Sequence, residues 1–127
     1  MSLKRVVLIA VASMVFGASA TAAVLARQQT GGTQLIPQFE NDRVKVWKSI
    51  IMPKQPLTMH RHEHGRTLVA LVGGTVDIVQ KDGASVPHIW ETGKAYWLDA
   101  DLPNTMHADV NNTDKPIEVI VVEMKTP

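Results

Sequence analysis

From Gln34 to the C-terminus, turn-forming residues recur about every ten residues and cut the chain into short β-prone runs. That punctuation constrains the fold more than any other feature. No interval between turns carries the apolar period of 3.6 residues that a helix needs to bury one face. The pattern predicts strands over Gln34–Phe39, Arg43–Met52, Thr75–Gln80, Ala84–Glu91, Lys94–Leu98, Thr105–Val110 and Ile117–Met124, with a further strand entering the apolar run Leu68–Val72. Pro37 removes a ladder donor from the first and places it at a sheet edge, and Pro87 weakens the middle of Ala84–Glu91. Asp82-Gly83 supplies the positive φ of a tight hairpin turn. Seven or eight such strands predict an all-β, antiparallel sandwich or barrel. Leu68–Val72 and Ile117–Val122 are apolar at successive positions. One face of each fills the interior and the other needs a cover, which makes a homodimer the expected state.

The N-terminus reads differently. Lys4 and Arg5 precede the apolar run Val6–Phe16, and Ala18-Ser19-Ala20 and Ala20-Thr21-Ala22 are small-residue cleavage signals. The run is shorter than the about 20 residues of a membrane span. The expected organisation is a signal helix over 1–22, a flexible leader over 23–33 and one β-domain over 34–127, periplasmic or secreted and free of the membrane once cleaved. Cleavage takes two of the 13 basic residues, whereas all 12 acidic residues lie beyond it. The domain is then close to neutral, which argues against nucleic acid as a partner. There is no cysteine, so disulfides and thiolate chemistry are excluded.

The chemistry concentrates in Met59–Gly74, M-H-R-H-E-H-G-R-T-L-V-A-L-V-G-G. His60, His62 and His64 alternate with Arg61 and Glu63, and on an extended strand alternate residues share a face. Imidazoles at i and i+2 can chelate one cation from one side, and nitrogen donors suit Zn, Fe, Ni or Cu. The competing reading is a solvated His-rich loop. His88, beside Pro87, reads as a surface residue, and Trp47, Trp90 and Trp97 read as core. Asn111 is expected to close the turn after His107 through a local backbone hydrogen bond.

His60-x-His62, three residues, Arg66, six residues and Gly73 resembles the first motif of the cupin superfamily, whose usual form has Glu where Arg66 stands. Gly93, Pro103, His107 and Asn111 resemble the second motif. The resemblance covers Val44 to Glu123 and implies a jelly-roll, double-stranded β-helix barrel; more narrowly, the chain is similar to small single-domain cupins, some of them labelled β-alanine degradation proteins. It further implies that His60, His62 and His107 hold a divalent transition metal (Zn, Fe, Ni, Mn or Cu), with open positions for water or a small-molecule ligand. Arg66 departs from the pattern, and Thr67, the alternative by spacing, is no better a ligand. Three readings stay open: His64 supplies the fourth donor, Arg66 faces the barrel and grips an anion such as a carboxylate, or Arg66 is a strand end that faces solvent. Tyr96 is a weaker candidate for substrate contact. Two function classes stay open: a metal-dependent dioxygenase, isomerase or lyase acting on a small polar acid, and a module that binds a small molecule or metal without turnover. No nucleophile–base pair for covalent catalysis is visible and no catalytic residue is assigned.

Overall fold

The computed structural model describes residues 32–127; the expected signal helix and most of the leader lie outside them. Eight strands follow in order: β1 (Gln34–Glu40), β2 (Val44–Ile51), β3 (Arg66–Val72), β4 (Gly74–Gln80), β5 (Ser85–Trp90), β6 (Ala95–Leu98), β7 (His107–Asn111) and β8 (Ile117–Met124). They form a five-stranded sheet ordered β1-β2-β8-β3-β6 and a three-stranded sheet ordered β5-β4-β7. All pairings between these strands are antiparallel. No helix occurs among the described residues.

Turn chemistry places the strands. Gly83 has φ 90° and closes the β4–β5 hairpin, its N–H donating to Gln80 O. Both strand prolines lie on edges: Pro37 on β1, where the pairing with β2 shifts register, and Pro87 on β5. Gly73 is required by close approach, since a Cβ there would sit 2.1 Å from Trp90 O.

Directly opposed residues of antiparallel strands share a face. Arg66, Leu68 and Ala70 of β3 therefore point the same way as Glu123, Val121 and Val119 of β8, toward the second sheet. With Ile51, Val76, Trp90 and Ile117, the apolar members of this set form the buried core. The opposite face of the large sheet carries half-buried Val69, Ile120 and Val122.

One expected strand starts later than its sequence suggests, at Arg66. The histidine run is not regular β-structure: His60 makes a single bridge to His107, and Glu63 and His64 form a bend before β3 begins at Arg66. The reason is where its backbone bonds go. Lys54 N donates to Asn111 O, Leu57 N to Asp109 O and His60 N to His107 O, while His107 N returns to His60 O. The connection from β2 to β3 thus lies along the free edge of β7 and covers it. Beyond His60, the His62 N–H goes to the Asp101 carboxylate (2.7 Å) and its carbonyl accepts from Asp101 N (2.8 Å).

Asn111 closes its turn as expected and also does more. It is fully buried (0% exposed), its Nδ2 donates to Ile51 O (2.8 Å) and Lys115 O (2.7 Å), and its Oδ1 accepts from Thr113 N and Thr113 Oγ1. Asn111→Ala strands several buried partners at once and is expected to cost about 2–4 kcal/mol. Urea unfolding of the two proteins checks this; a loss below about 0.5 kcal/mol, the range of surface substitutions, would contradict it.

Candidate metal centre

Motif residues from opposite ends of the domain meet at one end of the barrel. His107 starts β7, the bridge to His60 fixes one histidine beside it, and Asp101 holds His62 by both its backbone N–H and its carbonyl. One ring nitrogen from each of His60, His62 and His107 lies within 4.8 Å of the other two. The rings are close but not coplanar: 4.9 Å between the His60 and His62 centroids at 90°, and 4.6 Å between His60 and His107 at 61°. His64, on the bend, falls outside this group.

Each ring has one nitrogen accounted for. His60 Nδ1 lies 2.6 Å from the Thr58 carbonyl, and an acceptor-only partner requires that Nδ1 carry the proton. His62 Nδ1 donates to the Glu123 carboxylate. His107 Nδ1 lies 3.3 Å from Asp101 Oδ2. Nε2 of His60 and of His62 is thereby left as a lone-pair donor, and neutral His107 offers the ring nitrogen that does not carry its proton. Outer partners that fix the tautomer in this way are the usual support of metal-bound imidazoles.

Donors about 2.1 Å from one tetrahedral ion stand roughly 3.4 Å apart, so a group within 4.8 Å needs only a small inward movement to hold one. The charges also fit. Asp101, Asp109 and Glu123 carry three negative charges around the group, against the single buried guanidinium of Arg66. A divalent cation would bring that set to neutrality.

Arg66 faces the interior and is 7% exposed. Its Nη1 donates to Asp99 O (3.1 Å) and its Nη2 lies 4.0 Å from Asp101 Oδ1. Burial lowers its pKa, and the charges of Asp101, Glu123 and Asp109 oppose that shift. The chain itself therefore supplies the acidic company that sequence spacing did not reveal. Tyr96 is corrected: its hydroxyl accepts from Glu91 N (2.8 Å) in the turn before β6 and does not serve the cavity.

The group opens onto a cavity of about 1040 Å³. Leu57, Leu68, Ile78, Leu98, Val119 and Val121 give it apolar walls, with Ser49, Gln80 and His88 among its polar lining. His88, expected on the surface, is half-buried and lines this cavity. It lies two residues before buried Trp90 on β5, and period-2 alternation carried back from that tryptophan would have found it. Trp47 stacks parallel to His62 with centroids 6.1 Å apart. Trp97, expected in the core, is 57% exposed, covers Gly65 and donates from Nε1 to Asp99 Oδ1.

Burial pushes the His107 pKa below its usual value, chiefly through desolvation; Asp109 and Asp101 pull it up, and His60 and His62 push it further down. The sign follows. Below about pH 6.5 the unfolded chain takes up a proton that folded His107 refuses, so metal-free stability falls as pH drops through that value toward the lowered one. Urea unfolding of metal-free protein across this window should show that slope, and His107→Gln should flatten it. An unchanged slope in His107→Gln would assign the dependence elsewhere.

No protein-family model matches the chain, and no curated protein matches it. Solved structures do. A cupin domain from Bordetella pertussis Tohama I superposes with a TM-score of 0.66 at 24% identity, covering 75% of this chain and 95% of that one. A protein with a double-stranded β-helix domain from Klebsiella pneumoniae gives 0.56 at 20% identity, over 75% of this chain and 78% of its own. An RmlC-like cupin from Desulfovibrio desulfuricans gives 0.53 at 21% identity, over 73% and 82%. What this chain shares with them is the double-stranded β-helix fold of the cupins.

Proposed function

We propose that this protein is a single-domain cupin that holds one divalent transition metal on His60, His62 and His107 and presents it to a small molecule in the barrel. The observation that carries the reading is that one ring nitrogen from each of His60, His62 and His107 falls in a single group within 4.8 Å, with Nδ1 of His60 and of His62 hydrogen-bonded outward to Thr58 and Glu123. A metal held by a histidine triad keeps open positions and, when bound, supplies Lewis-acid or redox activation of a ligand. The residues of the chain do the rest. Asp101 orients His62 and His107, Glu123 orients His62, and the apolar walls limit water and admit a ligand with an apolar body. This supports metal-dependent dioxygenase, isomerase or lyase chemistry.

A carboxylate ligand would find the metal as its anchor, and would share Arg66 with Asp101 and Asp99 O rather than hold it alone. The narrower resemblance to proteins labelled for β-alanine degradation finds no support among the solved structures that share the fold, and adds no substrate to this reading. Arg66 at the usual Glu position favours the second reading, capture without turnover. Turnover of candidate acids by metal-loaded protein separates the two.

Metal content, measured by elemental analysis of full-chain protein made without an affinity tag, tests the triad. His60→Ala, His62→Ala and His107→Ala are each expected to lose most of the metal, and His88→Ala to keep it. Equal content in all four would remove the triad assignment.

We also read the domain as exported and homodimeric. Export rests on Lys4, Arg5 and the two A-x-A signals. Pairing rests on Val69, Ile120 and Val122 on the outer face of the large sheet, with Phe39, 58% exposed, at its edge. Light scattering of the processed protein should give about twice the mass of one chain; a monomer would show that this face needs no second copy.

A further inference from the structure

Asp109 is not used by the three-histidine reading. It lies two residues beyond His107 on β7, on the same side of the strand. Its side chain is 14% exposed and lines the cavity. Among the described residues its backbone carbonyl accepts from Leu57 N, but no hydrogen bond ends on its carboxylate. Oδ1 stands 3.7 Å from His107 Nε2, the nitrogen left free when Nδ1 faces Asp101. Two lone-pair donors so placed, only partly open to solvent, suit a proton or a cation between them.

The spacing suits a metal cation: ligands about 2.1 Å from a tetrahedral ion stand roughly 3.4 Å apart, close to the 3.7 Å found here. The other nearby carboxylates have partners, since Asp101 accepts the His62 N–H and Glu123 accepts His62 Nδ1.

We propose that Asp109 is the fourth protein ligand of the metal held by His60, His62 and His107, supplying from β7 the carboxylate that β3 lacks because Arg66 stands there. The proposal rests on the metal reading above. Asp109 lies outside the group whose donors are all within 4.8 Å, so ligation draws its carboxylate inward by side-chain rotation. The exchange keeps a carboxylate on the ion while Arg66 is offset by Asp101. A set of three imidazoles and one carboxylate suits Fe, Mn, Ni, Co or Zn better than Cu(I).

Co(II) titration of the metal-free full chain tests this, read by competition affinity and by visible ligand-field absorption, with circular dichroism confirming that each variant folds. The parent is expected to bind one Co(II). Asp109→Asn should weaken binding by about 10- to 100-fold and change the absorption band. Asp109→His, which exchanges an oxygen donor for a nitrogen donor without restoring charge, should recover most of the affinity with a displaced band. An Asp109→Asn protein with the parent's affinity and spectrum overturns the fourth ligand alone. A folded Asp109→His protein as weak as Asp109→Asn, with the parent's band, also overturns it, because Asp109 would then act only through its charge. A parent that takes up no Co(II) overturns the metal reading and this inference together.

Discussion

Two backbone hydrogen bonds exchanged between His60 and His107 join the parts of this barrel that matter for its chemistry. They fix an irregular connection, rich in histidine, against the first residue of β7, so that donors 47 positions apart in the chain meet. Asp101 completes the join. Its backbone N–H and its carboxylate both bond to His62, and the same carboxylate lies beside His107 and Arg66. One loop residue thereby sets two of the proposed ligands and offsets the cation next to them. A carboxylate with so many partners in a largely buried place is expected to be among the least replaceable residues of the site.

Arg66 changes the meaning of the site rather than abolishing it. A buried guanidinium beside a divalent ion would be strongly unfavourable alone. Here it is surrounded by Asp101, Asp109 and Glu123, and a divalent ion and the guanidinium together would balance these three charges. The price is that Arg66 is already occupied, which moves the anchoring of any anionic ligand toward the metal.

The strand ladder was legible because each strand is announced locally. Alternation and bounding turns place β2, β4 and β8 within about two residues, and Pro37 marks β1 as an edge. The histidine run was misread as a strand because its backbone partners, Asp101 and the edge of β7, are remote in sequence. The pairing of His60 and His62 with His107 was legible from the motif resemblance. Asp101 and Glu123 were not, since a loop residue and a strand on the other sheet meet the histidines only through tertiary pairings that sequence does not display; Asp109 was within reach of alternation from His107. Trp97 shows the same limit, since the close passage of Gly65 leaves its ring spread over the outside, whereas His88 was within reach of alternation carried back from Trp90.

The central claim is that the three Nε2 atoms share one ion. Anomalous diffraction from crystals of the untagged protein loaded with Zn(II) or Co(II), collected on either side of the metal edge, tests it most directly. The account predicts a single strong peak about 2.1 Å from Nε2 of His60, His62 and His107. A peak on His64 or His88 alone, or none in the barrel at full loading, would contradict it.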